Sequence, residues 1–145
     1  MNADEIADKV ARAMLAAEGT GPAWGIEIED AREGYARIRM TLRPEMLNGH
    51  GKAHGGMIYA LADTAFAYAC NSRNLRSVGA QATMVFLDGA VAGETLVAEA
   101  REAALVGRSG VYNVGVCTAD GRRIAEFQGF SRSIGGTFVD IGENE

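Results

Sequence analysis

Between Lys52 and Arg73 the chain carries one charged side chain, Asp63, in a stretch that reads His54-Gly55-Gly56 and then MIYALADTAFAYAC. The stretch has no Pro, is rich in Ala, Leu and Met, and is apolar nearly all round, which predicts a helix buried on most sides. It should end near Asn71, where polar Asn and Ser residues supply the stop. A helix of this kind has to be wrapped by another layer, so the remainder of the chain must provide one.

That remainder reads mostly as strands. An amphipathic helix is expected first, from about Ala3 to Glu18, with Ile6, Val10, Ala13, Met14 and Ala17 at helical spacing and Gly19, Gly21 and Pro22 as its stop. From Trp24 the period changes to two. Ile26 and Ile28 alternate with charged residues, Glu33-Gly34 marks a turn, and Ala36, Ile38, Met40 and Leu42 alternate with Tyr35, Arg37, Arg39 and Thr41, which predicts a hairpin with one wet face. A loop rich in Pro, Asn and Gly covers Arg43 to Lys52. After the apolar helix come four strands, about Ser77 to Leu87, Glu94 to Val106, Gly110 to Thr118 and Arg122 to Ile134. Their turns lie at Asp88-Gly89 with Gly93, at Gly107 to Gly110, and at Asp120-Gly121, a two-residue hairpin signal. Alternation is clean in Tyr112, Val114 and Val116 and muddled in the last strand. Strands do not alternate with helices as a parallel α/β fold would need. The expected class is α+β, an antiparallel sheet wrapped around one central apolar helix with a short N-terminal helix: the hotdog fold, in a single domain over residues 1–145.

Composition narrows the functions. The formal net charge of -5 argues against a general grip on nucleic acid or an anionic membrane, so any anionic ligand must be held locally. Twelve of the basic residues are Arg and two are Lys, and Arg is the better fork for phosphate. The opening MNADEIADKV is polar and acidic and does not read as a secretory signal. No apolar run approaches the roughly 20 residues that span a bilayer. A soluble cytoplasmic protein is expected. Cys70 and Cys117 lie far apart without CxxC spacing and are expected to be buried thiols, and two histidines without further ligands make no metal site.

Chemistry concentrates in the central segment. An unpaired buried carboxylate costs several kcal/mol, so Asp63 needs a reason to sit where it does. Either it is structural, paired with an Arg or bonded to hydroxyls such as Thr64 or Ser72, or it attacks a carbonyl or activates a water. The first-turn amides of the helix have no intrahelical acceptor and carry the positive end of the dipole. They can therefore polarise a carbonyl, and Gly55 and Gly56 let it approach closely. The plain alternative is a tight loop before a helix. His54 either orients that loop and contacts the substrate or simply caps and packs, and Asn48 either donates to the carbonyl or serves the turn.

The segments MLNGHGKAHGG (Met46 to Gly56) and ALADTAFAYACNS (Ala60 to Ser72), with Gly110-Val111-Tyr112 and SRSIGG (Ser131 to Gly136), resemble the phenylacetyl-CoA thioesterases of the hotdog superfamily, the PaaI type. The resemblance runs from about Ala23 to Gly136. It implies Asp63 as nucleophile or general base, the Gly55 amide as the polarising donor, and Asn48 and His54 beside the thioester. It also implies a homotetramer of hotdog dimers, no cofactor, and hydrolysis of phenylacetyl-CoA or hydroxyphenylacetyl-CoA. Where the family usually continues with a basic residue and Pro after Phe86-Leu87, this chain has Asp88-Gly89, which removes one expected phosphate contact. Candidate substrate contacts are Gly56, Leu47, Ala60, Thr64, Phe66 and Tyr68 for the acyl group, and Arg108 and Arg132 for the phosphates of CoA.

Geometry adds an argument of its own. Gly55 and Asp63 are eight residues apart, so on one helix they are separated by about 12 Å along the axis. One carbonyl carbon cannot lie near both. If both act on it, they come from two chains whose helices run antiparallel, and the site forms at a homodimer interface. Two rivals remain: a hotdog hydratase or dehydratase, which would want a His as principal base on the helix, and a non-catalytic acyl-CoA-binding protein.

Overall fold

The computed structural model describes residues 1–142. Helix α1 (Ala3–Ala17) starts where the Asn2 side chain accepts from the Glu5 amide, with Asp4 and Glu5 complementing the positive end of its dipole. It buries Ala7, Val10 and Ala11 and packs on β1 and α3. The expected stop after Glu18 becomes a restart. Thr20–Trp24 forms a short helix, α2, because Gly21 and Pro22 fall in its first turn, where the amide that Pro lacks has no intrahelical acceptor. Gly25, at φ +67°, ends it.

Strands β1 (Glu27–Arg32) and β2 (Tyr35–Thr41) form the expected hairpin around Glu33-Gly34. A 3-10 turn at Pro44–Met46 leads to helix α3 (Gly55–Cys70), followed by β3 (Ser77–Phe86), β4 (Thr95–Val106), β5 (Ser109–Thr118) and β6 (Arg123–Ser133). All pairs are antiparallel, and the order is β1-β2-β4-β5-β6-β3. Strand β3, first after the helix, thus crosses to the far edge and pairs only with the last strand.

The six strands curl round α3, which touches every one of them. The inward rows are set by register: Ala36, Ala100, Val114 and Phe127 lie across from one another, as do Ile38, Ala98, Val116 and Ala125. Alanines in the middle of the sheet let a helix whose inner face is Leu61, Ala62, Ala65 and Ala69 settle close to it, and all eight of these sheet residues are buried.

Four expectations are refined. Ile124 is the bulged residue where β5 and β6 shift register, which explains the muddled alternation of the last strand. Four residues, not two, separate β5 from β6 around Asp120-Gly121. Tyr35, on the wet face, is nevertheless buried, because Arg32 and Arg101 lie 4.4 and 4.9 Å from its ring centre and its hydroxyl donates to Glu99. Of the thiols Cys70 is buried and Cys117 only half-buried. No helix among the described residues is long and apolar enough to cross a membrane.

Candidate active site

The loop before α3 is tied by its own side chains. Asn48 Oδ1 accepts from the amides of His50 (2.9 Å) and Lys52 (3.2 Å), an isolated bridge joins Leu47 to Ala53, and the His54 amide donates to Met46 O at 2.8 Å. The Asn48 carbonyl oxygen serves the turn, while its Nδ2 has no partner among the described residues and remains free to donate.

His54 is the N-cap of α3. Its Nδ1 accepts from the Gly56 amide at 2.8 Å, and its carbonyl takes the amides of Met57 and Ile58. A Cβ at Gly56 would lie 3.0 Å from that same Nδ1, so the cap needs glycine there. The Gly55 amide has no acceptor among the described residues. One first-turn donor is therefore capped and its neighbour is left open at the positive end of the dipole.

Eight residues on, Asp63 stands on the exposed side of α3. Its carboxylate makes no hydrogen bond or ion pair among the described residues. The Thr64 hydroxyl donates instead to Ala60 O at 2.7 Å, and Ser72 Oγ accepts from the Gly34 amide at 2.8 Å. Although the side chain meets solvent on a single chain, the apolar matter around it raises its pKa above the ordinary carboxylate value, through desolvation. A desolvated acid without a partner is the kind of group that serves as a base or nucleophile.

Around Asp63 the remaining candidates fall on different sides. Ala60 and Thr64 are half-buried on or beside the same face, and Leu47 is half-buried in the preceding loop. Phe66 is buried under the sheet, seated where Gly79 and Gly129 have no Cβ, and its ring packs on Tyr112 and Phe127 at 5.6 and 5.7 Å. Tyr68 is buried on another side, its hydroxyl donating to Glu18 at the end of α1, and burial followed by that carboxylate raises its pKa. Arg108, in the β4–β5 turn, and Arg132, near the end of β6, are exposed and without an ion-pair partner among the described residues. Both lie at the sheet end towards which α3 runs. Asp88, in place of the expected basic residue, faces Arg122 at 3.5 Å.

Two residues escaped the sequence reading. Tyr59, one turn before Asp63, is exposed despite its size, with its ring edge-on to Phe127. Phe86, at the end of β3, lies 3.3 Å from where a Cβ of Gly55 would stand. The i−4 spacing of Tyr59 from Asp63 was the available signal. Val78, Val85 and Leu87 are exposed as well, so β3, whose other edge is unpaired, and the residue that follows it carry several exposed apolar side chains. No group of three or more His, Cys, Asp or Glu among the described residues can hold a metal.

Residues 50–125 match the family profile described as the thioesterase superfamily. The chain is 42% identical over 129 residues to the acyl-coenzyme A thioesterase PaaI of Escherichia coli (strain K12), covering 89% of this chain and 92% of that one. The structure of the E. coli PaaI protein from the phenylacetic acid degradation operon has a TM-score of 0.92 at 40% identity, with 94% and 99% of the two chains covered. A mutant of the phenylacetic acid degradation protein PaaI from Thermus thermophilus follows with a TM-score of 0.77 at 33% identity, covering 81% of this chain and 100% of that one.

Proposed function

The chain belongs to the thioesterase superfamily, and from that premise we propose that it hydrolyses aryl-acyl-CoA thioesters, phenylacetyl-CoA or a hydroxyphenylacetyl-CoA, at a site shared between two subunits. That it is an acyl-CoA thioesterase follows from its likeness to the E. coli enzyme along most of both chains. The aryl substrate is supported by the phenylacetic acid degradation setting of both structural relatives.

The observation that carries the mechanism is that the Gly55 amide and the Asp63 carboxylate are both left without partners, about 12 Å apart along one helix. In an antiparallel pair of α3 helices the partner's Gly55 stands opposite Asp63, and Tyr59, midway between them, falls on the two-fold axis. The amide then holds the thioester oxygen as it gains negative charge, and the carboxylate attacks the carbonyl carbon or takes a proton from the water that does. Asn48, through its free Nδ2, serves the same carbonyl, and His54 fixes the helix start. Leu47, Gly56, Ala60 and Thr64 border the acyl group. Phe66 backs that wall and Tyr68 braces the helix from behind, while Arg108 and Arg132 take the CoA phosphates. The free edge of β3, with its exposed apolar side chains, supports the pairing, because such an edge asks to be covered. A tetramer of two such dimers belongs to the same reading.

The absence of a histidine on α3 disfavours a hydratase, and free thiol release measured with DTNB separates an enzyme from a mere binder. The decisive experiment mixes two inactive variants. Asp63→Asn should lower turnover at least about a hundredfold. Gly55→Pro removes the free donor at the first helical position, where Pro is tolerated, and His54 at ψ 133° suits the residue before Pro. Each homo-oligomer should be nearly dead, and mixed dimers should regain up to half the wild-type rate. Folded variants whose confirmed hetero-oligomers stayed inactive would end the shared-site reading.

A further inference from the structure

The start of α3 leans on a second loop. Residues 87–94, between β3 and β4, form neither helix nor strand, yet Ala90 is 1% exposed and its carbonyl accepts the Ala53 amide at 2.8 Å. Ala53 is buried too, and stands one residue before the cap His54 and two before the open amide of Gly55. The methylenes of Lys52 lie over Gly89, where a Cβ would come within 3.2 Å of them. Whatever fixes Gly89 and Ala90 therefore fixes the approach to the helix start.

The two ends of this loop are tied by backbone. The amides of Leu87 and Asp88 both donate to the carbonyl of the bulged Ile124, at 2.8 and 3.2 Å, and the Gly93 amide donates to Leu42 O at 2.8 Å. Its middle is held by one side chain. Arg122 Nη1 donates to Gly89 O at 3.0 Å, and Nη2 lies 2.9 and 2.6 Å from the two carboxylate oxygens of Glu94. One of those oxygens also accepts the Val91 amide at 2.9 Å, and Asp88 stands 3.5 Å from Nη1. A single planar guanidinium thus joins residues 88, 89 and 94. Its own mounting is firm: the Arg122 amide donates to the Thr118 hydroxyl at 3.0 Å, its carbonyl accepts the Thr118 amide at 2.9 Å, and Thr118 is 4% exposed. An isolated surface ion pair contributes little to stability, and the Arg122 side chain is 39% exposed. The consequence of the cluster is positional, because it restricts a loop that glycine would leave loose.

We propose that Arg122 is a positioning residue for the thioesterase reaction: by clamping residues 88–94 it holds Ala90 O against the Ala53 amide and so sets where the Gly55 amide stands, which rests on the reading of Gly55 as the polarising donor. Such a donor acts on charge that develops in the transition state, where a misplacement of about 1 Å can cost on the order of a hundredfold in rate. Opening the clamp costs less than that, since Ala90 stays buried and both ends of the loop keep their backbone ties. Arg122 touches neither Gly55 nor substrate; it acts through Gly89, Ala90 and Ala53 in turn.

With phenylacetyl-CoA as substrate, Arg122→Ala should lower kcat about tenfold and leave KM within about twofold, because the interaction it weakens belongs to the transition state. Glu94→Ala should act alike, and the double variant should be no slower than the slower single one, since both open the same clamp. Backbone hydrogen exchange followed by mass spectrometry gives a readout that needs no turnover. In Arg122→Ala, peptides covering residues 46–57 should exchange faster while those of β5 exchange as in the wild type. Unchanged exchange over 46–57 would overturn the clamp, and equal quickening in β5 would make Arg122 a brace of the whole sheet instead. A wild-type kcat, with or without a raised KM, would end its role in positioning. Failure of the Gly55 reading would show separately, as an active Gly55→Pro protein.

Discussion

Helix α3 has two sides built on opposite rules. The side towards the sheet, Ile58, Leu61, Ala62, Ala65 and Ala69, is fully buried and apolar, and its polar backbone is satisfied within the helix. The other side carries Tyr59, exposed despite its ring, and Asp63, charged without a partner. A protein optimised only for stability would not leave a desolvated acid and an uncapped amide on one helix. The difference teaches that the inner side pins the helix in place and so lets the outer side remain unsatisfied, as the proposed shared site requires.

Leu61→Ala should break this comparison from the inner side. Leu61 is 0% exposed, and truncating such a residue costs about 2–5 kcal/mol, read as a lower denaturant midpoint at unchanged slope. The folded fraction should keep near-normal kcat. A stable variant with poor turnover would mean that the two sides are not separable.

A smaller effect is expected at the two arginines proposed to hold the substrate's phosphates, outside both sides of the helix. Arg108→Ala or Arg132→Ala should raise KM about tenfold with little change in kcat, and added salt should blunt the difference. Unchanged KM in both variants would remove the phosphate assignment.

The smallest effect sharpens the outer side. Because desolvation raises the Asp63 pKa in the folded chain, the native state binds more protons than the unfolded one above the ordinary carboxylate value of about 4. Stability conferred by the protonated form is complete below that value and is lost as pH rises through the raised one. Asp63→Asn should therefore melt slightly higher than wild type at neutral pH, the gap closing in acid. A variant that melts lower at neutral pH would show Asp63 to be a structural acid.

Much of the molecule is local and so was readable in one dimension. Periods of 3.6 and 2, with Gly at the turns, place α1, α3 and all six strands to within a residue or two, and a lone acid in an apolar helix marks Asp63. What escaped has a common cause. Because α3 is apolar nearly all round, no periodic asymmetry told which side would be covered, so Phe66 and Tyr68 could be named but not oriented, and Tyr59 went unnoticed. Strand order is equally non-local. That β3 pairs with β6 and leaves its other edge bare is decided by closing the sheet round the helix, with the register rows of alanine setting how close the two come. Hydrogen-bond bookkeeping comes last of all. Only with every neighbour in place can the capped amide of Gly56 be told from the open one of Gly55, or the satisfied hydroxyl of Thr64 from the unpartnered carboxylate of Asp63. Sequence sets which groups exist, and packing decides which of them are left without a partner.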